Sequence, residues 1–189
     1  MYTLFIDTHF KNINLCLYKD AKIINKTTLK QVKSTSECTM PEIINLLTKS
    51  KIESINISNI IVCNGPGSFT GVRIGVTIAK TLAYCTNSTI YTIDSLTLAS
   101  LSYTGDNYIA VKENNGIYLA NFHNENITSS IEYYRNKETE YLTYKDDIKY
   151  ERETPNFDRL IEIMTKLPKC NAFNANPIYI KSIEALNDK

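Results

Sequence analysis

The stretch "GPGSFTGVRIG", residues 65–75, places glycines, a proline and two hydroxyl side chains between an apolar run and a predicted helix. The run before it, "INISNIIVC" at 55–63, indicates a buried strand because its last apolar residues follow one another without alternation. A glycine-rich turn between a strand and a helix is typical of a phosphate site, because the first N–H groups of a helix lack partners. The same residues also suit a structural turn, and residue chemistry leaves both interpretations open.

The known phosphate-binding and nucleophile motifs do not fit this stretch. Val72 stands where a Walker A loop needs lysine, and Thr70 stands where the dinucleotide fingerprint needs glycine. Ser68 lacks the G-x-S-x-G spacing of a nucleophile elbow. What remains is general: Gly65 and Gly67 permit a sharp turn, and Ser68 or Thr70 can cap the following helix.

The helix predicted at about residues 71–85 carries a strip of very small residues, Gly71, Gly75, Ala79 and Ala83, at intervals of four. Its apolar arc is roughly 200° wide, where docking on one core needs about 100°. Each glycine costs about 1 kcal/mol in helix stability relative to alanine, so a close approach by another backbone is expected to compensate. That neighbour is either the chain's own sheet or first helix, or a helix of another subunit.

The rest of the first half alternates strands and helices. Residues 2–29 predict three successive antiparallel strands, since apolar residues alternate on either side of a "KD" turn. Further along, "TIYTI" at 89–93 predicts a short strand and "DSLTLASL" at 94–101 predicts a helix. The resulting order, βββαβαβα, indicates a mixed sheet with helices packed against it.

A change of period after the third strand marks the first helix. Met40, Ile43, Ile44 and Leu47 recur at i, i+3, i+4 and i+7 and are predicted to share one face. Pro41 is expected in the first turn of this helix, where its missing N–H costs little.

The second half carries weaker patterns. Three segments, "NYIAV", "GIYLANF" and "ITSSIEYY", predict strands, with "ENNG" as the hairpin turn between the first two. The segment "PNFDRLIEIMTKL" at 155–167 predicts a helix. A boundary near residues 103–107 divides the chain into an N-terminal lobe, residues 1–106, and a shorter C-terminal lobe, residues 107–189.

Composition argues against several classes of protein. The 189 residues carry a net charge of +1, so no excess of positive charge indicates binding to nucleic acid or to an anionic membrane. The five cysteines are odd in number and form no C-x-x-C pair, which favours buried thiols over a disulfide framework or a zinc site. No signal peptide and no apolar run of about 18 residues is evident, so we expect a cytoplasmic protein.

Several segments together resemble the TsaB (YeaZ) family. They are "GPGSFTGVRIG" with the "VTIAKTLA" that follows it, the opening "LFIDT", "MPEIINLL" and the closing "NPIYIK". The resemblance is good over about residues 1–102 and weaker beyond. It implies a two-lobed α/β fold of the actin, Hsp70 and sugar-kinase (ribonuclease H-like) type, with mixed sheets, packed helices and here a shortened second lobe. It also implies a role in making threonylcarbamoyladenosine at position 37 of tRNAs that read ANN codons.

The same resemblance implies a non-catalytic scaffold subunit. Family members pair with TsaD, which transfers the threonylcarbamoyl group, through the first two helices of the N-terminal lobe, and alone this face can form a homodimer. The ATPase TsaE joins the pair, TsaC supplies threonylcarbamoyl-adenylate, tRNA is engaged by the complex, and ATP and metal belong to the partner subunits. The residues expected at the partner interface are Met40, Ile44, Leu47, Gly71, Gly75, Ala79 and Ala83. The signature turn comprises Gly65, Pro66, Gly67, Ser68, Phe69, Thr70 and Arg73, the last of which is either solvated or a contact to TsaE, nucleotide or tRNA.

The residues themselves also point away from catalysis. The two histidines, His9 and His123, lie far apart in sequence, so neither an H-x-x-x-H metal pair nor a Ser–His pair is evident. We therefore expect no catalytic residue and no metal site. Asp7 and Thr8 stand where related ATPases place a phosphate-contacting loop and are the candidate nucleotide contacts, although the "HF" that follows is not glycine-rich. An ATP-binding small-molecule kinase or ATPase of the same superfamily is the alternative function.

Overall fold

Three antiparallel strands open the first sheet, as the alternation of apolar residues predicts. The computed structural model describes residues 1–143 and 145–180 of the chain. None of the helices within these described residues is long and apolar enough to cross a membrane. In chain order the elements are β1 (Tyr2–Asp7), β2 (Ile13–Lys19), β3 (Lys22–Leu29), α1 (Thr35–Lys49), β4 (Ile57–Cys63), α2 (Phe69–Thr86), β5 (Thr89–Ile93), α3 (Ser95–Ser100), β6 (Asp106–Glu113), β7 (Gly116–His123), β8 (Asn126–Ile127), β9 (Glu132–Arg135), α4 (Asn136–Thr139), β10 (Ile148–Tyr150), α5 (Phe157–Ile163) and β11 (Lys169–Cys170).

Strands β4 and β5 extend the first sheet parallel to β1. The order of strands in this sheet is β11-β5-β4-β1-β2-β3. Helices α1 and α2 cover one face of it, in a core that includes Leu4, Ile43, Ile60 and Val76. The order of elements through α3 is the βββαβαβα pattern expected from the sequence. We call the first sheet with its helices the first lobe.

The second sheet, which we call the second lobe, is built from strands that begin at Asp106, within the expected boundary. Strands β6 and β7 pair antiparallel across the "ENNG" turn, as the sequence predicts. Strand β10 lies beside β6, and β8 and β9 lie beside β7. Helix α3 lies between the two sheets, because Leu98 packs with the first and Leu96 packs with the second.

The last described part of the chain returns to the first lobe. Helix α5 places Phe157 on the face of the first sheet opposite to α1 and α2, in a core with Phe5. Strand β11 then pairs antiparallel with β5. The expectation of a C-terminal lobe that runs continuously over residues 107–189 is therefore wrong for residues 157–170, since these complete the first core. Residues 181–189 of that range lie outside the described residues.

Helix α1 buries a different face from the one that the sequence predicts. Ile43, Leu46 and Leu47 are buried against the sheet, whereas 36% of Met40 and 56% of Ile44 is exposed. The core-facing side of α1 is therefore centred on Ile43 and Leu47. Met40 and Ile44, which belong to the same apolar pattern, lie outside that side.

Pro41 lies in the second turn of α1 rather than in the first, because the helix begins at Thr35. Its missing N–H leaves the carbonyl of Glu37 without a partner in the helix. Both residues are exposed, so water can satisfy that carbonyl. This is why an interior proline is tolerated here.

The cysteines are all free thiols. Cys16 and Cys63 are buried, as expected from their number and spacing. Cys85 is exposed, so the expectation of burial is wrong there, because the last turn of α2 turns that position toward solvent.

Candidate functional site

The signature turn packs directly against the end of β1. Gly67 has no room for a side chain, because a Cβ atom would lie 2.3 Å from the carbonyl oxygen of His9. The Ser68 N–H donates to the same oxygen at 2.6 Å, and the Ser68 hydroxyl caps α2 by accepting from the Gly71 N–H at 3.3 Å. Gly65 has a φ of +93°, which residues with side chains rarely adopt. The glycines therefore build a structural turn that receives the end of β1, and the expected cap at Ser68 is confirmed.

Two other residues of the signature turn differ in exposure. Pro66 is buried, and its carbonyl accepts from the Ser95 hydroxyl at 2.6 Å, which ties the turn to α3. Thr70 is exposed in the first turn of α2. The signature turn is thus bound to α3 at Pro66 and exposed to solvent at Thr70.

The small-residue strip of α2 faces the chain's own sheet. A Cβ on Gly71 would lie 2.2 Å from the carbonyl oxygen of Thr8, and a Cβ on Gly75 would lie 2.5 Å from the Thr8 hydroxyl oxygen. Ala79 and Ala83 are buried in the same core as the first sheet. The close approach expected from the sequence is therefore made by the end of β1.

Most of the expected interface residues are inside the protein. Their positions face the first sheet, so a partner cannot reach them while this core is intact. Met40 and Ile44 are exposed, and their place at an interface stays a prediction. The expectation of direct contact with a partner is wrong for Leu47, Gly71, Gly75, Ala79 and Ala83.

Arg73 and Phe69 of the signature contact the segment near residue 180. Arg73 Nε donates to the Tyr179 hydroxyl at 2.7 Å, and its guanidinium lies 3.7 Å from the centre of the Phe69 ring. The Phe69 and Tyr179 rings are 5.6 Å apart. Tyr179 belongs to "NPIYIK", whose Lys181 lies outside the described residues. Two segments that carry the family resemblance are thus joined by an arginine–aromatic cluster.

The end of β1 also carries a buried ion-pair cluster. His9 Nδ1 lies 2.6 Å from Asp7 Oδ1, and His9 Nε2 lies 2.7 Å from Glu151 Oε2. Asp7 also accepts from Asn14 Nδ2 at 3.0 Å, and Glu151 accepts from the Lys112 N–H at 3.0 Å. Because Glu151 directly follows β10, His9 joins the first lobe to the second.

Burial favours the neutral forms of His9 and Asp7, but the attraction between their opposite charges and their hydrogen bonds together outweigh the effect of burial. Burial lowers the pKa of His9, yet the charge of Asp7, and to a smaller extent that of Glu151, raises it well above 6.5. Burial likewise raises the pKa of Asp7, but the charge of His9 and hydrogen bonds from His9 and Asn14 hold it below its ordinary value. At neutral pH His9 is therefore an imidazolium that donates from both ring nitrogens to carboxylates.

A metal ion is the alternative occupant of this cluster. Asp7, His9 and Cys63 each place one potential ligand atom within 4.8 Å of the others. Both ring nitrogens of His9 are taken up by carboxylates, so the ring offers no free lone pair. Burial raises the pKa of the Cys63 thiol to about 11, so it stays neutral. The residues fit a hydrogen-bonded ion pair, and the expectation of no metal site stays a prediction.

The cluster forms one wall of a cleft between the lobes. The cleft has a volume of about 220 Å³. Its lining mixes carboxylates with cationic side chains, and the carboxylates of the cluster are already paired. Lining residues include Asp7, His9, Lys11, Ser95, Lys112 and Glu151.

The two candidate nucleotide contacts are both engaged by the protein. Asp7 reaches the cleft, but its carboxylate is paired with His9. Thr8 is buried, and its hydroxyl donates to the Gly71 carbonyl at 2.7 Å. A phosphate at the end of β1 would meet the Asp7 and Glu151 carboxylates, which repel it. That the chain binds no cofactor remains a prediction.

The solvent side of α1 carries an apolar ridge. It consists of Met40, Pro41 and Ile44, whose spacing of one turn places them together on the helix surface. Helix α2 lies beside α1, with Ile74 and Ile78 half-buried. We call Met40, Pro41 and Ile44 the α1 ridge.

Sequence reasoning missed the cluster because it treated His9 as an isolated histidine. The available signal was the spacing of Asp7 and His9, since residues two apart at a strand end point to the same side. Nothing in the sequence indicated Glu151, which lies 142 residues later. Its position depends on the placement of the second lobe.

A family model and curated relatives each match about half of the chain. A family model described as "TsaD: tRNA N6-adenosine threonylcarbamoyltransferase" matches residues 22–110. The chain is 39% identical over 101 residues to the tRNA threonylcarbamoyladenosine biosynthesis protein TsaB of Bacillus subtilis (strain 168), a match that covers 53% of this chain and 44% of that protein. These matches support a TsaB (YeaZ) family assignment, which rests on about half of the chain. The TsaB protein of Buchnera aphidicola subsp. Schizaphis graminum is 30% identical over 95 residues, which cover 50% of this chain and 45% of that protein.

A solved structure of the family shares the fold. YeaZ from Pseudomonas aeruginosa has a TM-score of 0.77 over 95% of this chain and 99% of that chain, at 16% sequence identity. This likeness confirms the two-lobed α/β fold that the resemblance to TsaB implies. The chain spans less than half the length of the two curated TsaB relatives that it matches. The activity and partners of those whole proteins therefore do not transfer with the match alone.

Proposed function

We propose that this chain is a non-catalytic scaffold subunit in the transfer of threonylcarbamoyl to adenosine 37 of tRNAs that read ANN codons. The observation that carries the proposal is the 39% identity over 101 residues with a tRNA threonylcarbamoyladenosine biosynthesis protein. The family-model match at 22–110 covers both α1 and α2, the helices expected to meet the transferase subunit.

The partner that we propose for the α1 ridge is TsaD. An apolar ridge at one-turn spacing on an exposed helix is suited to pack into the groove of another helix. Ile44 is the central candidate, since 56% of it is exposed and burial of apolar surface contributes about 25 cal/mol per Å². TsaE then joins the pair, TsaC supplies threonylcarbamoyl-adenylate, and tRNA binds to the assembled complex. In isolation the same ridge supports a homodimer, and we expect the complex in the cytoplasm.

The absence of catalysis by this chain is supported by the cleft. The charged groups at the end of β1 are paired with one another and carry a net negative charge, since His9 lies between Asp7 and Glu151. Thr8, the hydroxyl nearest to them in sequence, is committed to Gly71. The alternative of an ATP-dependent kinase needs free donors for phosphate in this place, so no observation favours it.

The proposal is tested by the affinity of this chain for the cognate TsaD. Light scattering after size exclusion gives the stoichiometry, and titration gives the dissociation constant for wild type and Ile44→Glu. A charge at the centre of an apolar contact is expected to weaken binding at least about ten-fold. The matched control is Ile127→Glu, which places the same charge at an isoleucine that is 44% exposed on β8 of the second lobe.

We expect wild type and Ile127→Glu to form a stoichiometric complex of the same affinity, and Ile44→Glu to fail at the same concentration. Circular dichroism checks that all three remain folded. A wild-type chain that forms no complex with TsaD would overturn the proposed function. Equal affinity for Ile44→Glu would move the contact away from the α1 ridge.

A further inference from the structure

His9 is a buried link between the two lobes. Its ring contacts Asp7 of the first lobe at 2.6 Å and Glu151 of the second at 2.7 Å. The side chains of Asp7, His9 and Glu151 are 1%, 8% and 17% exposed. Charges this far from solvent are screened little, and removal of His9 leaves two carboxylates without a cation between them.

A second ion pair between the same segments provides a contrast. Lys30, just after β3, pairs with Glu153, but these side chains are 58% and 62% exposed. Exposed pairs of this kind contribute little to stability. One short segment of the second lobe therefore carries a buried ion pair at Glu151 and an exposed one two residues later.

We propose that His9 is a clasp that holds the cleft between the lobes closed without any ligand, and that loss of its charge opens the cleft. With a neutral or missing ring, the Asp7 and Glu151 carboxylates face one another with no cation between them. Asp7 is fixed in the first lobe by its hydrogen bond from Asn14. Glu151 is fixed in the second lobe by its hydrogen bond from the Lys112 N–H, so loss of the cation between the two carboxylates separates the lobes.

Cys63 and Lys112, which lie near the His9 ring, do not place a second positive charge between the Asp7 and Glu151 carboxylates. From the end of β4, Cys63 faces the ring as a neutral thiol, because burial raises its pKa to about 11. From β6, Lys112 contributes its backbone N–H to Glu151, while its ammonium lies 5.0 Å from the centre of the Tyr150 ring. Among residues 1–143 and 145–180, His9 is the cation that pairs with either carboxylate of the clasp.

The other cations of the cleft are also directed at rings. Lys11 Nζ lies 5.3 Å from the centre of the Phe10 ring, and the Arg152 guanidinium lies 5.4 Å from the centre of the Tyr103 ring. Such contacts hold a cation beside an aromatic face. Among these cations of the cleft, His9 is the one that lies between the Asp7 and Glu151 carboxylates.

The clasp is tested by hydrogen exchange of the full chain with variants Glu151→Gln, His9→Gln and, as matched control, Glu153→Gln. We expect the first two to exchange about ten-fold faster in the cleft walls, residues 9–12 and 148–153. Residues 57–63 of β4 serve as the internal reference for global unfolding. Glu151→Gln keeps the shape of a partly exposed side chain, so it remains informative if His9→Gln does not fold.

Protection of the cleft walls that is the same in Glu151→Gln and Glu153→Gln would overturn the clasp. A rise in exchange that extends equally to β4 would also overturn it, since it makes His9 a general stabilising residue. The state of the ring is measured independently by NMR titration of His9, assigned with His9→Gln. We expect Glu151→Gln, but not Glu153→Gln, to lower the pKa of His9, and an unchanged pKa in both would contradict the clasp. Zinc that survives dialysis against a chelator and is lost in His9→Gln would assign the ring to a metal and overturn it too.

Discussion

The hydroxyl of Thr8 donates to the carbonyl of Gly71 at 2.7 Å, and this bond joins the end of β1 to the first turn of α2. It explains why two glycines lie in the first two turns of α2. Gly71 and Gly75 leave room for Thr8, and the turn before them leaves room for His9. The glycine-rich stretch therefore positions the residues on which the cleft depends.

Gly75→Ala is expected to destabilise the protein through Thr8. The added Cβ would lie 2.5 Å from the Thr8 hydroxyl oxygen, and overpacking of this kind costs about 1–3 kcal/mol. Thr8→Ala removes the clashing atom, so the double variant Thr8→Ala with Gly75→Ala is expected to be more stable than the two separate losses predict. Denaturant unfolding of the four proteins measures this coupling.

Gly71→Ala is the matched control for this cycle. Its Cβ would meet the carbonyl oxygen of Thr8 at 2.2 Å, and that atom belongs to the backbone. Thr8→Ala is therefore expected to give no rescue of Gly71→Ala. Equal rescue of both glycine variants would show that the Thr8 side chain is not what excludes a larger residue.

The contact between Arg73 and Tyr179 is expected to hold the segment near residue 180 on α2. Removal of the guanidinium in Arg73→Ala loses both the hydrogen bond and the stacking on Phe69. The Ile178 N–H, which donates to the Asn64 carbonyl at 2.8 Å, is a reporter for docking of this segment. We expect its hydrogen exchange to accelerate in Arg73→Ala with little change in global stability, because the cluster is largely exposed.

Tyr179→Phe separates the two parts of that contact. It removes the hydroxyl that accepts from Arg73 and keeps the ring, so a smaller acceleration at Ile178 is expected. Exchange at Ile178 that is unaffected by either variant would mean that the segment is held by other contacts.

The stabilising effect of the His9–Glu151 pair is expected to disappear at alkaline pH. The pKa of folded His9 is raised, so the contribution is complete below about 6.5, the value of an unfolded histidine, and is lost as the pH rises through the folded value. Below neutral pH, Glu151→Gln is expected to unfold about 3–8 °C lower than wild type, for a loss of about 1–3 kcal/mol. Thermal melts across pH test this, and a difference that stays constant as the pH rises would rule out titration of His9.

Acid is expected to weaken the same cluster for the opposite reason. The pKa of Asp7 is depressed in the folded state, so its contribution is present above about 3.9 and is lost as the pH falls through the folded value. The stability of the wild-type protein is thus expected to decline on both sides of a neutral plateau.

ATP with magnesium is expected to leave the melting temperature unchanged. A ligand that binds the folded state raises stability by about 2.7 kcal/mol at 100 times its dissociation constant. We expect the carboxylates of Asp7 and Glu151 and the committed hydroxyl of Thr8 to oppose the binding of a phosphate at the end of β1. A melting temperature that climbs with the logarithm of the ATP concentration would contradict this and revive the kinase alternative.

Local patterns predicted most of the first lobe correctly. The strands, α2 and the Ser68 cap follow from periodicity and from turn chemistry, which act over a few residues. The position of Pro41 was missed because the helix begins further upstream than the apolar pattern indicated. The return of α5 and β11 to the first sheet was missed because pairing with β5 is a long-range contact that leaves no local signature.

The candidate site shows the same division. The wide apolar arc on α2 correctly predicted a closely packed neighbour. The sequence did not distinguish between a neighbour in the same chain and a helix of another subunit. Only the end of β1, with Thr8 against Gly71 and Gly75, distinguishes them. His9 and Glu151 meet through the placement of two lobes, and no spacing in the chain encodes that contact.

The most direct test of the proposed function is the amount of threonylcarbamoyladenosine formed in vitro. Unmodified tRNA that reads ANN codons is incubated with the cognate TsaC, TsaD and TsaE, with and without this chain, and digested nucleosides are quantified by mass spectrometry. We predict that the modified nucleoside accumulates only when the chain is present, and that Ile44→Glu restores little of it while Ile127→Glu restores all. The same rate of formation without the chain would contradict its role as a required subunit.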